Sequence, residues 1–251
     1  MGSGIIYGRN PVTEALRAGR KLDRVIIQDG ATGSIGKIKA LAKEAGVPLD
    51  YADKKRLDTL AGTGAHQGVL AFVPAYDYGE MDDIFKKAEA DGGDGFIVIL
   101  DGVEDPHNLG AIMRTAECAG ASGVIIPKRG AVGITDVVAK TSAGAVEYLP
   151  CVRVTNLVRT MEELKEKGYW IAACDMDGDD YNKANLTGKI AIVIGSVGKG
   201  IGRLVKEKCD FTVSLPMKGK INSLNASNAA AVIMYEVVRQ REAAKGAAKN
   251  V

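Results

Sequence analysis

Metal-binding side chains are scarce and badly spaced in this chain. The two histidines, His66 and His107, and the four cysteines, Cys118, Cys151, Cys174 and Cys209, form no C-x-x-C pair. No zinc or other metal site is expected from them. The cysteines read as small buried hydrophobes in a reducing compartment. Long apolar runs are missing too. Phe96–Leu100 and Ile190–Ile194 are typical, far short of the roughly 20 residues a membrane helix needs. Charge rather than an apolar core follows Met1–Ile6, so no secretory leader is visible and a cytoplasmic protein is expected. There is no internal repeat. Excess charge of one sign is also absent: 33 Lys+Arg against 31 Asp+Glu leave a net +2, too little to argue for nucleic-acid binding alone.

The composition that remains, 251 residues with 46% hydrophobic and 25% charged, suits one large or two unequal globular domains. The charge is unevenly placed. Residues 1–75 hold 11 basic and 7 acidic side chains, and the remainder holds 22 and 24. A mildly basic unit beside a near-neutral one fits an RNA-handling module next to a catalytic one. It fits a chance imbalance on a solvated surface as well.

Residues 5–75 read as a small α/β unit. Asn10 and Pro11 open a helix to Ala18, Arg24–Gln28 is a strand, and Ser34–Ala45 is a helix stopped by Gly46. Val47–Tyr51 is extended, Lys54–Ala61 helical and Gly68–Val73 a strand. The loop Gly62–Gly68, GTGAHQG, is either a close-approach loop or a plain turn. Asp82–Ala90 reads as a polar, partly helical connector, and Asp91–Gly95 as the boundary.

From Phe96 onward strands and helices alternate, which predicts a mainly parallel sheet. The strands are Phe96–Leu100, Gly123–Pro127, Tyr148–Val152, Tyr169–Cys174, Ile190–Gly195 and Phe211–Leu215. The helices are Ala111–Ala119, Asp136–Ser142 and Leu157–Lys167. Ligands of such sheets sit beyond the carboxyl ends of the strands. That singles out three loops, Asp101–Gly110, Gly195–Gly202 and Pro216–Ser227.

Each loop carries a distinctive run. GSVGKGIG, Gly195–Gly202, is not a phosphate loop, because Gly200 rather than Ser or Thr follows Lys199. It reads as a strand end where a ligand touches backbone, or as a turn. In DGVEDPHNLGAIMRTAECAG, Asp101–Gly120, Arg114 stands among small residues one turn into a helix. Its planar donors suit phosphate or carboxylate, and ion pairing with Glu117 or Asp105 is the alternative. The third run, LPMKGKINSLNASNAAAVIMYEVVRQR, joins short polar loop residues to a helix. Ala230, Ile233, Met234, Val237 and Val238 make its buried face. Ala229–Ala231 form a thin waist, and Glu236, Arg239, Gln240 and Arg241 fall on the wetter side. DMDGDD, Asp175–Asp180, misses the calcium-loop pattern, with Leu186 where the bidentate Glu should be, and reads as an exposed acidic turn.

The ordered set N-L-G-A-I-M-R-T-A, G-x-x-G-K-G and S-L-N-A-S…Y-E-x-x-R-Q-R resembles the three signature segments of the SpoU (TrmH) branch of SPOUT RNA 2′-O-methyltransferases. The likeness covers about Phe96–Arg241. Residues 5–75, with YGRNPVTEAL and HQG, are similar to that family's L30e-like substrate-binding domain. With DPHNLG, IPK and RVTNL, the chain is most similar to the RlmB-type enzymes, which methylate a guanosine ribose in large-subunit ribosomal RNA.

The resemblance implies an α/β fold: a parallel sheet with a C-terminal trefoil knot at 96–245, a linker at 76–95 and an L30e-like domain at 1–75. It implies S-adenosylmethionine as methyl donor, held by Gly195, Ser196, Leu215, Met217, Ser223 and Leu224. It implies a homodimer formed through the knotted region, whose sites borrow groups from the partner. Arg114 matches the essential motif arginine and Asn108 the motif asparagine. Ser223 and Asn225 match the third motif, Asn225 as the more direct participant. Arg9, Asn10, His66, Gln67 and Arg114 are the implied RNA contacts. One departure stands out: Val197 occupies the place of the family's usual Glu. Three further readings remain open: a close variant of this enzyme that takes transfer RNA, an RNA-binding or ribosome-assembly factor catalytically weakened by Val197, and a generic nucleotide-binding α/β protein.

Overall fold

The computed structural model describes residues 4–74 and 76–248. The chain divides into two compact units, one of residues 1–77 and 134–148, the other of 78–133 and 149–251.

The first unit begins with β1 (Gly4–Tyr7) and α1 (Arg9–Arg17), then β2 (Arg24–Gln28), α2 (Ile35–Glu44), β3 (Leu49–Ala52), α3 (Lys54–Ala61) and β4 (Val69–Val73). Its sheet runs β1-β4-β2-β3, with β2 and β3 parallel and the other pairs antiparallel. Ile26, Leu57 and Leu70 lie in its core. Helix α1 starts one residue before the expected cap. Gly8, at φ 99°, is the N-cap, and the Arg9 amide donates to Gln67 Oε1 at 2.9 Å. Helix α3 has a side-chain cap: Asp53 Oδ1 accepts from the Arg56 amide at 2.8 Å.

The second unit opens with α4 (Met81–Ala90), which was expected to be a linker. Ile84 and Ala88 on this helix are buried, and Ile84 packs with Ile97 and Ile125. The segment from Tyr78 on therefore belongs to the second unit's core. Next come β5 (Phe96–Asp101), α5 (Pro106–Cys118) and β6 (Gly123–Pro127). Helix α5 starts five residues before the expected Ala111. Asp105 Oδ1 accepts from the His107 amide at 2.9 Å and Pro106 needs no donor in the first turn.

The chain then returns to the first unit with α6 (Asp136–Thr141) and a 3₁₀ turn, Ala145–Glu147. Glu147 pairs there with Arg20 at 2.7 Å, both largely buried, and the Tyr148 hydroxyl donates to Glu14 Oε2 at 2.5 Å. Partners so distant in sequence explain why local reading did not place this segment.

The second unit finishes with β7 (Cys151–Val154), α7 (Leu157–Glu166), β8 (Trp170–Asp180), β9 (Ile190–Gly195), α8 (Arg203–Glu207), β10 (Phe211–Ser214) and α9 (Ala226–Ala248). The six strands are ordered β10-β8-β9-β5-β6-β7 and every neighbouring pair is parallel. Continuous apolar strands such as β5 and β9 are buried on both faces, as parallel sheets require.

Several expectations are corrected. The acidic run Asp175–Asp180 is not a turn but the second half of β8. Lys206 Nζ bridges two of its carboxylates, donating to Asp175 Oδ2 and Asp177 Oδ1, each at 2.7 Å, and Lys183 Nζ lies 3.1 Å from Asp180 Oδ2. Gly178 is needed there, since a Cβ would stand 2.5 Å from the Thr212 carbonyl carbon. Glu236 is buried rather than wet, and accepts from Arg239 and Gln240. Gln240 and Arg241 fasten α9 to the chain ahead of β9. Gln240 Oε1 accepts from the Leu186 amide at 2.8 Å and Nε2 donates to the Ala184 carbonyl at 3.0 Å. Arg241 Nη2 donates to the Gly188 carbonyl at 2.7 Å. Cys118 is exposed, whereas Cys151 is buried.

Candidate active site

Strand order in the second sheet reverses between the parallel neighbours β5 and β9, where Asp101 lies opposite Gly195. Crevices open at such switch points. Two strand-end loops meet there. Asp101 Oδ2 accepts from the Gly202 amide at 2.7 Å, and Ser196 and Gly200 exchange backbone hydrogen bonds at 3.1 and 3.0 Å. Gly195 has to be glycine because its backbone lies against Gly200, whose carbonyl oxygen would be 2.5 Å from a Cβ.

A cleft of about 840 Å³ opens at this place. Gly195, Ser196, Leu215, Met217, Ser223 and Leu224, all expected to hold the donor, line it together. Its other walls are mainly apolar, with Ile194, Val213, Ala229 and Ile233, and polar groups are few. That is the make-up of a small-molecule site with an apolar body and a few orienting groups. Local sequence reading missed Asp175 and Met176, which also line it. Their signal was their place at the carboxyl half of β8. Hydrogen bonds from Lys206 hold the Asp177 carboxyl below its usual range, and those to Asp175 and Asp177 raise the Lys206 ammonium.

A second cleft of about 520 Å³ shares Ser196, Val197 and Ala226 with the first and is bounded by the loop after β5. Asn108 lies in its wall, and its Oδ1 accepts from Asn225 Nδ2 at 3.0 Å. Asn225 Oδ1 in turn accepts from the Ser227 amide at 2.9 Å and the Ser227 hydroxyl at 2.6 Å. The first and third sequence motifs are thus joined by one amide pair. Val197 is 64% exposed on the shared wall.

Arg114 lines neither cleft. It is exposed on α5, and among the described residues it pairs with neither Glu117 nor Asp105. Thiol chemistry is disfavoured around the sheet: burial pushes Cys151 and Cys209 up to about 12 and raises Cys174 further. Among the described residues no group of three or more His, Cys, Asp or Glu could hold a metal ion, and no helix is long and apolar enough to cross a membrane.

In the first unit, Arg9, Asn10, His66 and Gln67 border a polar cleft of about 1230 Å³. Arg9 is pinned there: Nε donates to the Gln67 carbonyl at 3.1 Å and Nη1 to Ser34 Oγ at 3.1 Å. Gln67 has φ 55°, a costly conformation for a non-glycine residue. His66 differs from the expectation of an RNA contact. It is 1% exposed, its Nδ1 accepts from the Gly68 amide at 3.0 Å, and Nε2 lies 2.9 Å from Asp58 Oδ1. With both ring nitrogens engaged inside the unit, it shapes the 66–68 turn.

Residues 95–235 match the model of the SpoU rRNA methylase family, and residues 5–79 match that of RNA 2′-O ribose methyltransferase substrate binding. A putative TrmH family tRNA/rRNA methyltransferase of Bacillus subtilis, YacO, is 50% identical over 94% of this chain and 95% of its own length. A Staphylococcus haemolyticus protein described in the same terms is 47% identical over 94% and 96%. The SpoU methyltransferase AviRb from Streptomyces viridochromogenes, solved in complex with AdoMet, superposes with a TM-score of 0.81 at 26% identity, covering 96% of this chain and 92% of AviRb.

Proposed function

The chain belongs to the SpoU/TrmH family of RNA methyltransferases, and from that premise we propose that it methylates the ribose 2′-oxygen of a guanosine in large-subunit ribosomal RNA, working as a homodimer with S-adenosylmethionine as donor. The observation that carries this reading is the shared wall. One cleft suits a small apolar-bodied donor, and the other brings Asn108 and Asn225 beside it.

The donor cleft fits S-adenosylmethionine in its chemistry. Apolar walls accept an adenine face, and a strand end kept free of a Cβ at Gly195 leaves backbone groups to meet its edge. Gly195, Ser196, Leu215, Met217, Ser223 and Leu224 would hold it. When bound, it supplies a methyl carbon made electrophilic by a sulfonium. The chain's own tasks are alignment and charge. Asn225, fixed by Ser227, and Asn108 orient the acceptor ribose. A 2′-hydroxyl is a weak acid, so charge developing on its oxygen needs a cation. A guanidinium stays protonated at neutral pH, so Arg114 stabilises that charge rather than acting as base. Because Arg114 is exposed and outside both clefts of its own chain, we assign it to the site of a second copy. The first unit's polar cleft, with Arg9, Asn10 and Gln67, engages RNA.

Val197 favours one alternative, a weakened enzyme that retains RNA binding. The relatives' description as tRNA/rRNA methyltransferases keeps transfer RNA as the other. Incubation with methyl-labelled donor and either RNA, followed by mapping of the labelled riboses, separates the three. Label on a ribosomal guanosine supports the proposal. Label on transfer RNA alone supports the second alternative, and bound RNA without label supports the first.

A further inference from the structure

The smaller cleft contains two charges of opposite sign that do not meet. Glu104 and Lys199 both line it, and among the described residues neither has a hydrogen-bond or ion-pair partner. The neighbouring carboxylate differs, because Asp105 spends Oδ1 on capping α5. Lys199 sits at the strand end that also walls the donor cleft, and Glu104 sits on the loop leading to Asn108. A carboxylate that accepts and an ammonium that donates, left unpaired in one hollow, form a complementary frame for a ligand edge offering donors to one and an acceptor to the other.

We propose that this cleft is the socket for the acceptor base and that Glu104 reads that base as guanine. The inference rests on the methyl-transfer reading, since it places the base beside the donor. Enzymes acting on a nucleotide read an unstacked base by its Watson–Crick edge. On that edge guanine offers two adjacent donors, N1–H and the N2 amino group, and one acceptor, O6. A carboxylate accepts two parallel N–H bonds, and an ammonium only donates. Adenine and cytosine would each turn a ring-nitrogen acceptor toward Glu104. Uracil has one N–H, flanked by two carbonyls. Guanine alone satisfies both charges. Glu104 is therefore a specificity-determining residue, and Lys199 is its counterpart at O6.

The test uses the full chain, labelled S-adenosylmethionine and a large-subunit rRNA transcript, with the product digested to nucleosides and separated. Wild-type protein is expected to yield 2′-O-methylguanosine. Glu104→Gln keeps the size but turns an amide N–H toward guanine's donors. It should lower kcat/KM about 10- to 100-fold while leaving calorimetric donor affinity unchanged, which also verifies that the exposed position still permits folding. A transcript with inosine at the target, lacking the N2 amino group, should slow the wild type and slow the variant no further. An unchanged kcat/KM in Glu104→Gln, beside an active wild type, overturns this inference alone. A wild-type product on another base overturns it too, together with the guanosine assignment, while leaving methyl transfer standing. No transfer by the wild type overturns the methyl-transfer reading and this inference with it.

Discussion

Replacing Gly195 by alanine probes the donor cleft at its tightest point. The added Cβ would fall on the Gly200 carbonyl carbon and Ile201 amide nitrogen, 2.5 Å from the Gly200 oxygen. That is about 1 Å inside ordinary contact. The obstacle is backbone, which has no rotamer to turn aside. Loop 196–200 must therefore shift, straining the two hydrogen bonds between Ser196 and Gly200. Overpacking costs about 1–3 kcal/mol, and losing one of the two bonds adds about 1 kcal/mol. A total of about 2–4 kcal/mol falling on the cleft weakens donor binding about 30- to 1000-fold. Gly219→Ala is the control, because nothing lies within 4 Å of its Cβ, and its effect should stay within about 0.5 kcal/mol. Titration calorimetry with S-adenosylmethionine, beside thermal melts, reads both. A Gly195→Ala protein that binds the donor within about twofold of wild type refutes the placement of the cleft.

Other expectations follow from single contacts. Alanine at Asn108 and at Asn225 should be non-additive in kcat/KM, with a coupling of about 0.5–1.5 kcal/mol from their 3.0 Å bond; strict additivity would mean that the pair does not act as a unit. Burial raises the Asp136 carboxyl above its ordinary value, only partly offset by the Ile5 backbone and Arg20. Its contribution to stability is complete below the unfolded-state value and is lost as pH rises through the raised native one. Asp136→Asn should flatten that part of the stability profile in chemical denaturation, and an unaltered slope counts against the assignment. Val197→Glu restores the carboxylate usual in the family on the shared wall and should raise methyl transfer. No gain, with donor affinity unchanged, would show that a carboxylate is dispensable there.

Much of the second unit was legible because its signals are local. FIVIL and IAIVIG can be little else than strands covered on both faces, and glycine-rich or Asn-rich runs at their ends announce a crevice. What escaped reading depends on partners far along the chain. The acidic half of β8 looks like a turn until Lys206 bridges Asp175 and Asp177 and Gly178 admits Thr212. Glu236 looks solvated until Arg239 and Gln240 enclose it. Residues 134–148 look like part of the α/β run, yet the Arg20–Glu147 pair and the Tyr148–Glu14 bond place them in the first unit. His66 shows the same limit at a site. Glycines around His-Gln marked the loop correctly, but only the contacts to Gly68 and Asp58 show the ring turned inward.

The central claim is that Arg114 completes an acceptor site on a second copy of the chain. Mixing Arg114→Ala with Gly195→Ala protomers, each close to inactive alone, tests it most directly. In a mixed dimer one site keeps an intact donor cleft and receives an intact Arg114. Methyl transfer should then recover to about a quarter of wild type, since half of randomly assorted dimers are mixed and each has one working site. No recovery, with mixed dimers verified by mass, would contradict the claim and place Arg114 outside the reaction or within its own chain's site.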